Sequence, residues 1–423
     1  MAFEVAVNSD LSGVGATTTL PHSLPSATPA AAIIFATTNS AFGVASGNDA
    51  EISVGITDFT TSMTGMFSEQ NGQLLVAQSN GTSLTLSRLY DRSALALWFS
   101  GTPSVSGSDI VYTWATSPTA SAPLMQFVFG GCSAKVLSFT ADSTKILNDT
   151  QNITGIGFEP KFLFFIGSPR YSTTAGVTNF NVARWTFGFA SIPRTIANRA
   201  VSLFSAASAA TDTDCGRQYS NSACIAFPNS GNSAIDGSFK VSAVVSGDGF
   251  TIQYIDPFSA DVTIQVLALG GADFDCEALD WAAPSSDGDQ TATFTNIDPI
   301  GALLLSTGSA GGYDTYQTDR YRLGCGFVSE TGPKEGGFSI SQADALGTTA
   351  TGMSAWQAKT ASLGQTGAAA ANTLKLKTTS PFSGSAIAFT YEGMTFAPIV
   401  MACGFAPAVV SSYVPRLSLL GVG

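Results

Sequence analysis

Histidine, cysteine and paired carboxylates build most hydrolytic, redox and metal sites, and this chain is sparing with all three. His22 is the single histidine of 423 residues. A Ser-His-Asp arrangement needs an imidazole, and His22 lies between Pro21 and Ser23 in a turn-like stretch, where it reads as an exposed loop residue. Cysteines stand at 132, 215, 224, 276, 325 and 403, and no pair has Cys-x-x-Cys spacing. A structural zinc site needs four close soft ligands, so none is expected. Cys215 and Cys224 flank a polar loop and could bridge; free, half-buried thiols are the simpler reading. The densest acidic cluster is Asp273, Asp275, Glu277 and Asp280. Two carboxylates in a cleft would suit glycoside hydrolysis, but Asp273-Phe274-Asp275 alternates like the solvated end of a strand running into a linker, and no EF-hand spacing is present. Equivalent acids are not evident elsewhere in the chain.

Two further groups could bind without reacting. Arg184-Trp185 and Arg320-Tyr321-Arg322 combine a guanidinium with an aromatic ring and could stack on a sugar or base. Outward residues of an alternating strand give the same pattern. The run Gly308-Ser309-Ala310-Gly311-Gly312 lacks the Lys-Ser/Thr of a phosphate loop and reads as a turn. The residues therefore name no catalytic, cofactor-binding or metal-binding site, and no enzyme is expected.

What must be positioned is a repeated scaffold. Four landmarks recur in one order. The first is a proline before an apolar strand, at Pro29, Pro160 and Pro299 (160 − 29 = 131; 299 − 160 = 139). The second is a glycine inside an apolar strand, at Gly55, Gly188 and Gly326 (188 − 55 = 133; 326 − 188 = 138), as a bulge or close backbone approach would require. The third is a strand after a Gly/Ser turn, at Ile110, Phe250 and Ile387 (250 − 110 = 140; 387 − 250 = 137). The fourth closes each unit at Gly131, Gly271 and Gly404 (271 − 131 = 140; 404 − 271 = 133). The period is far longer than that of a solenoid and has the size of a domain. Three tandem copies of one fold follow, divided as 1–140, 141–281 and 282–423, with linkers expected at Ala141-Asp142-Ser143-Thr144 and at 282–288.

Within a copy, strands dominate. Val262-Thr263-Ile264-Gln265-Val266-Leu267 alternates polar and apolar residues as a strand with one wet face does. Phe162-Leu163-Phe164-Phe165-Ile166 is apolar throughout, as in a strand buried on both faces. Ala200–Ala210 and Ala355–Ala371 have room for a helical turn or two. The fold class is all-β, three related β-sandwich or barrel-like domains.

Composition narrows the partners. Hydrophobic residues at 44% allow a large core, whereas charged residues are only 11%, against about 25% in ordinary globular proteins. The net charge of −12 argues against nucleic acid or an anionic membrane as the main partner. No secretion signal is read in the first residues, and no apolar run approaches the length of a membrane span. A surface poor in charge and rich in Ala, Gly, Ser and Thr suits a protein covered by neighbours.

The turn Gly157-Phe158-Glu159-Pro160-Lys161 before its apolar strand, the later Phe187-Gly188-Phe189 and the hairpin Asp248-Gly249-Phe250 resemble modules in structural proteins of tailed bacteriophages. Copy three departs from it with Ile297-Asp298-Pro299-Ile300, and copy one keeps only Pro29. The resemblance implies a virion component (fibre, tail, baseplate or head decoration) made in the host cytoplasm, with itself and other virion proteins as partners, a homo-oligomer with a trimer favoured, and no cofactor. The alternatives are a carbohydrate-binding array that recognises a host surface glycan, with Trp185 and Tyr321 as its aromatic platform, and a polysaccharide depolymerase.

Overall fold

The computed structural model describes residues 3–408 apart from 12–14, 38–44, 47–48, 71–75, 83, 91–93, 118–121, 169–177, 181, 208–212, 230, 232, 307–311, 319, 331–333, 344–351, 357–360, 366–372 and 395–396. Some strands among these, such as Leu84–Tyr90 and Gly352–Trp356, are described by backbone alone. The described chain is all-β, with six antiparallel sheets grouped as three two-sheet sandwiches. The alternative of a closed barrel is not what forms.

The middle sandwich shows the plan. In chain order its ten strands are Ser133–Ala141, Thr150–Thr154, Pro160–Gly167, Val182–Ser191, Ala197–Ala207, Thr213–Ser220, Ile225–Pro228, Ile235–Val245, Gly249–Asp256 and Val262–Gly270. Counting them one to ten, the larger sheet runs 1-10-3-4-5-6 and the smaller 2-9-8-7. The strands Glu4–Leu11 to Pro123–Gly130 and Phe274–Ala282 to Ile399–Pro407 repeat both orders. The three modules thus share one topology. Ser133–Ala141 and Phe274–Ala282 lie on the far side of the boundaries drawn from sequence: each opens the next module, because the tight Gly130-Gly131 and Gly270-Gly271 turns lead straight into it.

Pairing registers place the landmarks. Gly55 pairs with Ile34, Gly188 with Phe165 and Gly326 with Leu304, each five residues beyond its proline. Ile110, Phe250 and Ile387 pair with Leu20, Ile153 and Ala292 in the smaller sheets. The closing glycine holds for two copies only. Gly131 and Gly271 follow Gly130 and Gly270, which face Pro29 and Pro160, but in the third copy Phe405 faces Gly301, so Pro407 and not Gly404 takes the equivalent place. Gly188 is a close approach: a Cβ there would lie 2.2 Å from the Arg199 carbonyl oxygen and 2.4 Å from that of Cys224.

The burial patterns explain the sequence patterns. Asp109–Thr116 and Ala386–Glu392 alternate between core and solvent, as the small outer sheets should. Strands of the larger sheets are buried on both faces. In Pro29–Thr37, Ala32, Ile34 and Ala36 face their own small sheet, while Ala31, Ile33 and Phe35 face inward. Those inward faces from all three modules form one shared core. Phe35 stacks on Phe327 at 4.6 Å, Phe162 meets Phe405 edge-on at 4.9 Å and Phe67 lies over Trp185 at 6.3 Å, so aromatic pairs join every pair of modules. The stretch Ala200–Ala210, with room for helix by composition, is strand through Ala207 (Ala197–Ala207), and 208–210 lie outside the described residues. Of Ala355–Ala371, the described parts are strand.

Candidate functional site

With a shared core at the centre, the chemistry available to this chain lies mainly at the joints between modules. The joints repeat. Three residues after each landmark glycine stands a polar side chain: Asp58, Ser191 and Ser329. Asp58 Oδ2 accepts the backbone N–H of Val136 at 2.9 Å, and Ser329 Oγ accepts that of Val7 at 3.1 Å, an equivalent register position. Ser191 Oγ donates to the Cys276 carbonyl at 3.3 Å. Each module therefore receives the first strand of the next. A second contact follows the same circuit. The connection between the third and fourth common strands reaches a neighbour's edge: Thr178–Phe180 pairs with Val76–Gln78, Ala45-Ser46 with Met353-Ser354, and Gln317 bridges Arg217. Edge strands are exposed templates for unwanted pairing, and here each is covered by the adjoining module.

The acidic cluster belongs to one of these joints, not to a solvated linker. Asp275 forms a two-pronged ion pair with Arg194 (2.6 and 3.3 Å), and Asp280 pairs with Arg199 at 2.5 Å. Both arginines come from the middle module, and Lys161 Nζ adds a 2.6 Å bond to the Phe274 carbonyl. Glu277 accepts the Thr295 and Asn296 backbone N–H groups and so fixes the turn before Pro299. An equivalent acid does exist in the first copy: Glu4, in register with Asp275, accepts from Ser26 and Ala27 before Pro29. In the middle copy the same turn is held from the hairpin turn between Ile235–Val245 and Gly249–Asp256. Asp248 Oδ1 accepts the N–H groups of Gly155 (3.0 Å) and Gly157 (2.8 Å), whose φ angles of 89° and 81° suit glycine. Those bonds, Gly157 first, hold the Asp248 carboxyl below its ordinary value. The two motif pieces Gly-Phe-x-Pro-Lys and Asp-Gly-Phe thus touch, and they serve a turn.

Other residues singled out by type fall into structural roles. His22 is buried, contrary to the exposed loop expected: Nδ1 accepts from Leu24 N at 3.1 Å while Nε2 faces the Gly107 carbonyl at 3.3 Å. Trp185 is fully buried in the shared core and offers no platform to a sugar. Arg184 pairs with Asp236 at 3.0 Å. Arg322 is buried, and the side chains of Arg320 and Tyr321 lie outside the described residues, as does 308–311. All six cysteines are free and five are buried. Cys215 faces the shared core and Cys224 the core between the middle module's sheets, so they lie on opposite faces and cannot bridge. Among the described residues, no three His, Cys, Asp or Glu side chains cluster as a metal site would need.

A polar concavity lies at the joint of the middle and third modules. It measures about 400 Å³ and is lined by Gln218, Ser220, Ser238 and Asp256 on one side and Asp314 and Tyr316 on the other. Ser220 donates to Asp314, closing part of the joint. Burial, with a smaller push from Asp236, raises the Asp256 carboxyl above its ordinary value. Hydroxyls, an amide, a phenol and two carboxyls, Asp256 and Asp314, can hold a polar ligand.

No family model, curated protein or solved structure matches this chain.

The joints were not foreseen from sequence. The one signal that could have found them is the polar residue three places after each landmark glycine, visible once the copies are aligned on Gly55, Gly188 and Gly326.

Proposed function

We propose that this chain is a structural component of a bacteriophage virion, made in the host cytoplasm, that acts through protein–protein assembly and has no catalytic role. The observation that carries the reading is closure: three modules of one topology circle a single shared core, joined at Asp58, Ser191 and Ser329, each of which bonds the first strand of the next module. The chain has internally the arrangement that a trimer of single modules would reach by association. It therefore enters a larger assembly as one pseudo-threefold unit, where the phage resemblance favours a homotrimer. The charge-poor composition and the resemblance of the Gly157–Ile166 and Asp248–Phe250 segments to phage modules support the same reading. Density-gradient purification of particles, followed by mass spectrometry and image reconstruction, tests it. Stoichiometric chain on the particle is the expected result; particles complete without it refute the reading.

The concavity containing Asp256 and Tyr316 favours one second reading, recognition of a host surface glycan. Specific binding on a glycan array, lost on Tyr316→Ala, supports that reading; sugar release from a capsular polysaccharide would instead support a depolymerase. With Trp185 buried, any aromatic contact there falls to Tyr316 rather than to a platform repeated in every copy.

A further inference from the structure

Two large apolar side chains stand out in solvent among the described residues: Ile146 is 67% exposed and its neighbour Leu147 57%. They sit at the tip of a loop that is tied down on all sides. Asp142 accepts from Thr144 N, Ser143 N donates to Asp261 Oδ1, Ile146 N donates to Asp149, and Asn148 N donates to the Tyr254 carbonyl. A flexible loop could fold such residues away; this one presents them. Beside it is a pocket of about 250 Å³ lined by Phe227, Phe258 and Val262 together with the Arg184–Asp236 ion pair and Asp261. That volume is below the roughly 300–1,000 Å³ of small-molecule sites and suits a single branched side chain. Asp261 belongs to both features, since it lines the pocket and holds Ser143 of the loop.

We propose that Ile146 and Leu147 of one chain seat against the Phe227–Phe258 pocket of a second copy, and the second copy returns the contact. A knob and a pocket side by side on one surface are self-complementary under a two-fold axis. Charge agrees: Lys145 accompanies the aliphatic pair, and the pocket, with Asp236 and Asp261 set against Arg184, carries one net negative charge. The corresponding loop of the third module carries Pro284-Ser285-Ser286 and no aliphatic pair, so the contact belongs to the middle module. This inference rests on the assembly reading and names one of its contacts.

Sedimentation analysis of the full chain over a micromolar concentration series tests it without particles. Wild type should show a reversible monomer–dimer equilibrium. Ile146→Ser/Leu147→Ser, which removes only exposed groups, should weaken dimerisation by at least about tenfold with unchanged melting temperature. Ala260→Trp, which fills the pocket, should do the same from the other side. A strictly monomeric wild type, or dimers indifferent to both variants, overturns the proposal. Presence of the monomeric double variant on particles would overturn a need for this contact in assembly and leave the virion role standing.

Discussion

Gly188→Ala sets backbone propensity against packing. Glycine within a strand costs roughly 0.5–1 kcal/mol relative to alanine, so propensity alone makes the substitution stabilising. Packing predicts the opposite. The new Cβ would lie 2.2 Å from the Arg199 carbonyl oxygen, 2.4 Å from the Cys224 carbonyl oxygen and 2.9 Å from the Ala200 Cα. All three are backbone atoms, so no side chain can swing aside. The Ala197–Ala207 strand or the segment at Cys224 would have to retreat by about 1 Å, which strains the ladder between Val182–Ser191 and Ala197–Ala207. Overpacking of this kind costs about 1–3 kcal/mol, and contact with backbone on two sides puts it at the upper end. After the propensity gain, a net loss of about 2 kcal/mol remains. At roughly 2–4 °C per kcal/mol for cooperative units of this size, the melting temperature should fall by about 4–8 °C. Calorimetry measures it, with Gly231→Ala as control, where the nearest atom to the new Cβ is an Asn229 side-chain oxygen at 3.8 Å. A Gly188→Ala protein as stable as wild type, or more stable, would refute the close-approach argument.

Acid should loosen the turns that carboxylates hold. Backbone donors from Gly157 and Gly155 depress Asp248, the Thr144 hydroxyl and N–H depress Asp142, and Ser143 depresses Asp261. A depressed carboxyl stabilises the fold above its ordinary value of 3.8 and loses that contribution as pH falls through the lower, folded value. The stability difference between wild type and Asp248→Ala should therefore shrink below about pH 4 in denaturant titrations; a constant difference down to pH 2 counts against the cap. Thiol titration should find Cys215, Cys224, Cys276, Cys325 and Cys403 unreactive in the native protein and all six cysteines reactive once unfolded, because burial protects five of them; a missing pair in the unfolded count would reveal a disulfide. Arg199→Ala leaves Asp280 half-buried without its cation and should cost about 2 kcal/mol, with hydrogen exchange rising first in Phe274–Ala282; exchange unchanged there would mean that the ion pair does not hold the joint.

The parts of this fold legible from sequence are those where the backbone constrains residue type. Pro29, Pro160 and Pro299, and Gly55, Gly188 and Gly326, stand in equivalent registers because a strand start and a close approach leave little choice. Gly404 misled because nothing but composition recommended it over Pro407. Ala200–Ala207 is ambiguous in isolation, since small residues fit helix and strand alike; pairing with Thr213–Ser220 decides it. The joints were illegible for a different reason. Arg194 and Arg199 lie 81 residues from Asp275 and Asp280, so the acids looked solvated. Short inserts such as Ala45-Ser46 pair through backbone and carry no side-chain signature. Trp185 looked like a binding platform because an alternating strand does not say which of its faces is wet; the shared core takes the face that would otherwise have been outside.

The ring has three joints, but the backbone crosses only two of them. First and third modules meet through Val7 on Ser329, Phe35 on Phe327 and Ala45-Ser46 beside Met353-Ser354, with no peptide bond between them. That joint shows what the contacts hold without a tether. At the other two the linking peptide acts mainly by raising local concentration, which speeds closure and makes it independent of dilution. A protease cut at the Gly131 or Gly271 turn should therefore leave the ring standing, with the severed modules still seated on one another.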